Sequence, residues 1–144
     1  MNLRFGTKVD ADWQSVREGF DEKLFKALNP PFPPVKVVRF DGCHKDDVVS
    51  LELNFLLFKQ RWTSLITEHG YSDNGFYFID EGRKLPFFLK RWKHHHGLIG
   101  LKDGTEIIDD ISYGTGTLLT DWLMYPVLYV QFAVRKPVYQ KYFG

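Results

Sequence analysis

The stretch WKHHHGLIGLKDGTEIIDDISY, from Trp92 to Tyr113, decides the fold of this chain. Its two arms are rich in apolar and β-branched residues and flank Asp103-Gly104, a dipeptide typical of tight hairpin turns. We therefore predict an antiparallel hairpin with Asp103-Gly104 at its tip. This register places three pairs of residues opposite each other: His94 and Tyr113, His96 and Ile111, and Leu98 and Asp109.

One face of the predicted hairpin mixes polar with apolar side chains. Side chains alternate along a strand, so eight residues share the inward face: Trp92, His94, His96, Leu98, Ile107, Asp109, Ile111 and Tyr113. The residues of the other face are typical of a solvated surface: Lys93, His95, Glu106, Asp110 and Ser112. Because buried polar groups need partners or a function, the inward histidines and aspartate indicate a candidate site.

The composition favours one globular domain, which we expect to span residues 1–144. The 144 residues are 44% hydrophobic and 17% aromatic, enough for a core without disulfides. Cys43 is the only cysteine, and the strand-like N-terminus lacks the apolar region of a signal peptide, so we expect a cytoplasmic protein. A net charge of +1 without a basic stripe argues against nucleic acid as a partner. The longest apolar run, Trp122 to Val130, is too short to span a bilayer.

The patterns predict a characteristic order of strands and helices. The alternation from Leu3 to Val9 predicts a strand, and two short helices follow, the first capped by Asp10 or Asp12 and the second by Asp21. The proline-rich segment 29–34 predicts a stiff connector, because proline cannot continue a helix. Four further strands are predicted at residues 35–40, 48–57, 59–71 and 76–82, with an Asn74-Gly75 turn before the last. The inward face of the last two strands stays open between two sets: Trp62, Ile66 and Ile79, or Leu65 and Phe78.

A long apolar helix is predicted at the end of the chain. Thr117 can cap a helix that runs to about residue 141, and Pro126 inside it predicts a kink or a break. Its apolar residues occupy more than one side, so part of its surface should face a cavity, the short helices or a partner chain. The whole pattern predicts an α+β fold, in which a curved seven-stranded antiparallel sheet surrounds this helix.

Several motifs accompany this order: Phe78-Ile79-Asp80, Leu85-Pro86-Phe87, Trp92 to His96, and Thr105 with Ile107, Asp109, Ile111 and Tyr113. Together they resemble bacterial proteins of the SRPBCC superfamily, which includes START-like lipid-transfer domains, birch-pollen-allergen-like plant proteins and polyketide cyclases. The resemblance covers essentially the whole chain. It implies the helix-grip fold and an apolar cavity between the sheet and the C-terminal helix, and it implies no particular reaction. The long spacing from Pro86 to Trp92 and the presence of Pro126 depart from the family pattern.

The leading hypothesis is that this cavity binds or carries a small hydrophobic or lipid-like molecule without a cofactor. The candidate ligand-binding residues lie on the hairpin, on one further strand and on the C-terminal helix: Trp92, His94, His96, Asp109, Ile111, Tyr113, Leu51, Leu53, Phe55, Trp122 and Leu123. One alternative is a cyclase/dehydratase-like enzyme in which His94 or His96, oriented by Asp109, acts as acid or base. Another is an interaction module whose aromatic side chains fill the interior.

His94, His96 and Asp109 also fit the pattern of a two-histidine, one-carboxylate metal site. Alternate histidines occur in strands without metal, and the chain has no dense Cys/His motif. We therefore expect no bound metal.

Two surface features permit more than one interpretation. Arg83, Lys84, Lys90 and Arg91 flank the apolar loop 85–89, and Lys59 and Arg61 alternate with Gln60 and Trp62 on a predicted strand. They are either solvated strand ends or a basic rim that attracts an acidic or lipid-like ligand, with residues 86–89 as an exposed gate. The aromatic C-terminus, with Tyr139, Tyr142 and Phe143, either docks on the sheet or forms a homodimer patch.

Overall fold

The residues that the structure describes form seven strands and four helices. The structure is a computed structural model that describes residues 1–30 and 32–144. In chain order the elements are β1 (Asn2–Val9), α1 (Trp13–Glu18), α2 (Glu22–Ala27), β2 (Val35–Phe40), β3 (Val48–Asn54), β4 (Lys59–Ser72), β5 (Gly75–Lys84), β6 (Arg91–Leu101), β7 (Gly104–Gly114), α3 (Leu118–Ala133) and α4 (Arg135–Phe143). The strands form one antiparallel sheet in the order β1-β7-β6-β5-β4-β3-β2. The predicted helix-grip fold is confirmed.

Aspartate caps start the two short helices, as predicted. The side chain of Asp12 accepts a hydrogen bond from the Ser15 backbone N–H at 2.7 Å, and Asp21 accepts one from Leu24 at 2.9 Å. Asp12 is therefore the cap of α1, and Asp10 is not. The two helices bury Val16 and Leu24 against the sheet. The predicted stiff connector after α2 includes Pro31, which lies outside the described residues.

The hairpin turns lie one residue earlier than predicted, at Asp73-Asn74 and Lys102-Asp103. The glycine that follows each pair begins the next strand. Gly104 has φ +152°, and a Cβ atom there would lie 2.1 Å from the Val9 carbonyl oxygen, so its role is close packing against β1. A shift of one residue in the turn changes the pairing by two residues, which keeps every side chain on its predicted face.

The strand predicted at 48–57 ends earlier, at Asn54. Leu56 has φ +74°, a left-handed conformation that no regular strand contains. The Asn54 side chain accepts a hydrogen bond from the Leu56 N–H at 2.9 Å and closes the turn into β4. Asn54 is therefore a turn residue, because asparagine side chains readily bond to the backbone two residues on.

The C-terminal helical region contains two helices, and the break lies at Val134 instead of Pro126. Pro126 is inside α3 without ending it. Pro137 stands in the first turn of α4, where a missing N–H is tolerated, whereas a continuous helix would press its ring against the Ala133 carbonyl. The prediction of one helix to about residue 141 is therefore wrong in its continuity. The break allows Arg135 and Tyr139 to enter the interior.

The core has two apolar clusters, one on each side of a buried polar group. The first lies beneath α1, α2 and α4 and contains Leu24, Ile66, Phe78 and Tyr139. The second lies beneath α3 and contains Trp92, Ile111, Tyr113, Leu128 and Phe132. In the described part of the chain, no helix is both long and apolar enough to cross a membrane.

Candidate functional site

Strands β6 and β7 bring the inward side chains of the hairpin together. The register pairs Trp92 with Tyr113, His94 with Ile111, and His96 with Asp109. The predicted pairs were two residues out of register, because the turn starts at Lys102. The prediction of the faces is confirmed: Trp92, His94, His96, Asp109 and Tyr113 are all buried.

Two imidazole–carboxylate pairs form the centre of the site. His94 Nε2 lies 2.8 Å from Asp109 Oδ1, and His96 Nε2 lies 2.6 Å from Asp80 Oδ2. The two imidazole rings stack with their centroids 3.5 Å apart. The indole N–H of Trp92 donates to Asp80 Oδ1 at 3.1 Å, which fixes that carboxylate in place. We call Asp80, His94, His96, Asp109, Arg135 and Tyr139 the polar cluster.

Helix α4 completes the polar cluster from the opposite side. Arg135 Nη1 donates to Asp109 Oδ1 at 3.4 Å, and the Tyr139 hydroxyl donates to Asp109 Oδ2 at 3.3 Å. The Arg135 guanidinium also lies 4.3 Å from the ring centre of Phe132. Asp109 therefore accepts from a histidine, an arginine and a tyrosine, the saturated arrangement that a buried carboxylate needs.

The surroundings lower the pKa values of Asp80, Asp109 and His94. Burial alone would raise the pKa of Asp109, but the hydrogen bond from His94 and the charge of Arg135 outweigh it and hold the pKa well below its usual range. The pKa of Asp80 is also lowered, because the hydrogen bonds from His96 and Trp92 and the charges of the two histidines together outweigh burial. Burial and the neighbouring His96 lower the pKa of His94 to about 4. Ionised carboxylates only accept hydrogen bonds, so Nε2 of each imidazole carries the proton and donates it.

The buried Tyr139 hydroxyl and Cys43 thiol stay protonated. Burial, followed by the nearby Asp109 charge, raises the pKa of the Tyr139 hydroxyl. Burial raises the pKa of the Cys43 thiol to about 12, so Cys43 is not a nucleophile in this environment.

Two cavities adjoin the polar cluster. The first, which we call the inner cavity, has a volume of about 50 Å³ and is bounded by Cys43, Asp80, His96, Arg135 and Tyr139 together with apolar residues of α2. The second, which we call the cleft, has a volume of about 100 Å³ and lies between the sheet, the segment after α2 and α3. Its described lining includes Leu51, Leu53, Trp62, Trp92, His94, Leu128, Phe132 and Arg135.

Five of the eleven predicted ligand-binding residues line one of the two cavities. Leu51, Leu53, Trp92 and His94 line the cleft, and His96 lines the inner cavity. Asp109, Ile111 and Tyr113 are buried nearby, outside the described lining of either cavity, and the remaining three are exceptions that lie elsewhere. Trp122 and Leu123 lie on the outer side of α3, 60% and 65% exposed, so their predicted place in the cavity is wrong. Along α3, Leu128 and Phe132 are buried, Met124 and Tyr125 are partly buried against the same cluster, and the exposed apolar residues point away from the sheet.

Phe55 is the third exception. It lies beyond the end of β3, where its ring packs against Phe58 and Phe88, with centroid distances of 5.3 and 5.9 Å. It is not among the described residues that bound either cavity. Phe55 belongs to the turn that follows β3, and this turn carries its side chain away from the cleft.

Three residues of the polar cluster were missed by sequence reasoning: Asp80, Arg135 and Tyr139. The inward face of β4 and β5 combines both predicted sets, since Trp62 and Ile66 of β4 share it with Phe78 and Asp80 of β5. Register shifts between Thr63 and Ser64 and between Ile66 and Glu68 explain why simple alternation failed there. The alternation Phe76, Phe78, Asp80 was the signal that could have located Asp80.

Three side chains lie close enough together to hold a metal ion, and they differ from the predicted set by one residue. Asp80, His94 and His96 offer one ligand atom each, all within 4.8 Å of one another. The carboxylate of this set is Asp80 and not Asp109, because Asp109 lies on the other side of His94. Within this set, Asp80 Oδ2 lies 2.6 Å from His96 Nε2 and 3.6 Å from His94 Nδ1.

Comparison with solved structures identifies the fold. Protein Ms6760 from Mycobacterium smegmatis is 14% identical over 97% of this chain and 88% of its own, with a TM-score of 0.69. Zhui aromatase/cyclase from Streptomyces sp. R1128 is 12% identical over 98% and 92%, with a TM-score of 0.64. Norcoclaurine synthase from Thalictrum flavum is 11% identical over 98% and 84%, with a TM-score of 0.67.

These similarities define a class of structure. They confirm the predicted helix-grip fold, and at such low sequence identity the fold is all that the similarity shows. No protein-family model and no curated protein matches the sequence.

Proposed function

We propose that the protein binds a small hydrophobic molecule in the cleft, with Arg135 as the anchor for a polar group of the ligand. The observation that carries this proposal is the lining itself, in which mainly aromatic and aliphatic side chains surround a few polar ones: the Arg135 guanidinium with His94, Asn29 and Gln131. A concave apolar site with a few convergent polar groups is the usual form of a small-molecule site.

Arg135 is suited to hold an oxygen of the ligand. A guanidinium has five N–H donors, and the bond to Asp109 uses one nitrogen, Nη1. The side chain lines both cavities, so its remaining donors can serve a ligand from either side. The ligand class that fits is an apolar body with a carbonyl, carboxylate or similar acceptor at one end.

The volume of the cleft limits the size of the buried part. An engineered apolar cavity of roughly 150 Å³ holds a benzene molecule, so the cleft, at about 100 Å³, fits about one small ring or a short alkyl chain. The cleft and the inner cavity share Phe25, Leu28 and Arg135 as walls. A larger ligand would be accommodated by an outward movement of α2, which would join the two spaces.

The similar structures support a small-molecule role. Two of them are named as an aromatase/cyclase and a norcoclaurine synthase. The shared fold also places a sheet and a long helix on either side of the cleft in this chain.

Titration with fluorescent probes tests the proposal. Leu51→Trp adds a bulky ring at a half-buried position of the cleft wall, and we expect it to weaken binding of 1-anilinonaphthalene-8-sulfonate by about tenfold or more, because a filled cavity excludes the ligand. Leu123→Trp is the matched control, since it makes the same change on the exposed side of α3 and should leave the affinity unchanged. Equal affinities of Leu51→Trp and the wild type would refute the proposal.

The anchor is tested with a second pair of probes. Arg135→Met should weaken binding of the anionic probe more than that of neutral Nile red, because only the anionic probe uses the guanidinium. Arg135→Lys keeps the charge but loses the planar donor fork, and should give an intermediate affinity. If both probes weaken equally in Arg135→Met, Arg135 supports the fold and does not anchor the ligand.

A second candidate function, acid–base catalysis, is favoured by the two imidazole–carboxylate pairs beside the cavities. A carboxylate that holds one imidazole nitrogen orients the ring for proton transfer. Of the candidates His94, His96 and Asp109, His96 is the best placed, since it lines the inner cavity together with Asp80. Chemical conversion of a bound compound by the wild type and not by His96→Gln would establish this function. Recovery of the compound unchanged would indicate that the protein binds it without catalysis.

A further inference from the structure

Three chain segments meet at one end of the sheet, beyond the polar cluster and the cleft. They are the β3–β4 turn with the start of β4 (55–61), the β5–β6 loop with the strand ends beside it (83–91), and the end of β7 with the start of α3 (114–123). The ring of Phe58 contacts that of Phe87 with centroids 5.7 Å apart, and the Lys90 N–H donates to the Gly114 carbonyl at 2.8 Å. These contacts hold the three segments side by side.

This end of the molecule exposes large apolar side chains, which we call the apolar tip: Leu56, Leu57, Phe58, Phe87, Leu118, Leu119, Trp122 and Leu123. Leu56 and Leu57, at the apex of a turn, are 80% and 95% exposed, and Phe87 is 62% exposed. Single exposed leucines are ordinary on protein surfaces, but a contiguous group from three segments marks an interaction surface.

The same segments carry most of the positive charge of this end. They contain six cations, Lys59, Arg61, Arg83, Lys84, Lys90 and Arg91, and one anion, Asp121. Glu52 of β3 lies beside them and pairs with Lys59 at 3.6 Å, so cations still outnumber anions here by six to two. Asp121 already accepts hydrogen bonds from the backbone and hydroxyl of Thr115, at 2.7 and 2.6 Å. The whole chain has a net charge of only +1, so the positive charge is concentrated around the apolar tip.

We propose that the apolar tip docks on the surface of an anionic lipid bilayer. The exposed leucines and aromatic rings enter the boundary between head groups and acyl chains, and the flanking lysines and arginines lie among the lipid phosphates. The long stems of these cations reach from the apolar boundary to the head groups.

The charge pattern decides between a bilayer and a second copy of this chain. Two copies joined tip to tip would bring the six cations of one against the six of the other, and like charges in contact oppose association. An anionic bilayer instead complements both the charge and the apolar surface. This inference goes beyond the binding of a ligand in the cleft and does not depend on it.

Sedimentation with vesicles tests the proposal. We expect the wild type to sediment with vesicles of phosphatidylcholine containing about one third phosphatidylglycerol, to bind pure phosphatidylcholine much more weakly, and to dissociate as salt screens the charges. Leu56→Ser/Leu57→Ser should lower the vesicle affinity by about a hundredfold, because two leucines lose their apolar burial. Lys84→Gln/Lys90→Gln should lower it by about twentyfold.

Matched controls come from the opposite end of the sheet. Ile99 and Leu101 are exposed apolar residues near the β6–β7 turn, and Lys45 and Lys102 are exposed cations in turns there. Ile99→Ser/Leu101→Ser and Lys45→Gln/Lys102→Gln should bind vesicles as the wild type does.

Three results would overturn the proposal. They are the absence of sedimentation with anionic vesicles, an equal loss of affinity in the tip and control variants, and a stable dimer in light scattering that Leu56→Ser/Leu57→Ser dissolves. Probe binding in the cleft is measured without lipid, so a failure at the tip is distinguishable from a failure of the cleft.

Discussion

Replacing the buried His94 should remove a large part of the pH dependence of stability. Burial and the neighbouring His96 hold the pKa of His94 at about 4 in the folded protein, against an ordinary value of 6.5. Between these two values the unfolded chain binds a proton that the folded protein excludes. The free energy of unfolding therefore falls as the pH falls from 6.5 towards 4, and this change is complete below the folded pKa.

The size of the effect follows from the two pKa values. A difference of about 2.5 corresponds to about 3 kcal/mol of unfolding free energy, since each pKa unit is equivalent to about 1.4 kcal/mol. The groups that face His94 are Asp80 on β5, His96 on β6 and Asp109 on β7, and Asp109 is itself paired with Arg135 on α4. The two carboxylates have lowered pKa values, so their stabilising contributions are lost only at still lower pH, as it falls through their folded pKa values.

Denaturant titrations at several pH values, followed by tryptophan fluorescence, measure this directly. In His94→Gln an amide donor replaces the imidazole and cannot titrate, so the decline of about 3 kcal/mol between about pH 6.5 and about pH 4 should largely disappear. Ile111→Val is the control, because Ile111 lies opposite His94 in the register and is fully buried. It should cost about 1 kcal/mol equally at every pH. Parallel pH profiles of His94→Gln and the wild type would refute this interpretation of His94.

Three shorter predictions test other parts of the structure. Leu128→Ala should lower the free energy of unfolding by about 2 to 5 kcal/mol. Val130→Ala, at an exposed position of the same helix, should change it by less than about 1 kcal/mol. Equal losses of the two variants in chemical denaturation would contradict the packing of α3. Gly104→Ala should lower the thermal midpoint sharply, because its Cβ would lie 2.1 Å from the Val9 carbonyl oxygen, and an unchanged midpoint would show that β1 and β7 are not in this contact. Protein purified without added ions should carry no stoichiometric zinc or iron, because His96 Nε2 donates its proton to Asp80 and so has no lone pair for a metal. Elemental analysis that finds about one metal per chain, lost in His94→Ala, would contradict this.

The fold was predictable because local signals agreed with the global pattern. Aspartates capped the short helices, alternation identified the strands, and the hairpin from Trp92 to Tyr113 kept its faces although its turn moved by one residue. An error of two residues in register preserves the period of two, so the burial of His94 and Asp109 was predicted correctly from an incorrect pairing.

The site was only partly predictable because its other half comes from distant elements. Asp80 reaches it through a strand with register shifts, and Arg135 and Tyr139 reach it because the helix breaks at Val134. The break at Val134 follows from Pro137, whereas Pro126 had suggested a break eight residues earlier. The exposure of Trp122 and Leu123 could not be read from hydrophobicity, since a helix that is apolar on several sides does not reveal which side packs.

Native mass spectrometry of freshly purified protein tests the central claim, that the cleft binds a small hydrophobic molecule, most directly. The account predicts a wild-type mass above that of the bare chain by the mass of a small organic compound. That mass should be absent from Leu51→Trp, which fills the cleft, and present in Leu123→Trp, which alters only the outer side of α3. A bare-chain mass for all three proteins, together with no binding of apolar probes at micromolar concentrations, would contradict the claim and would show a filled interior instead.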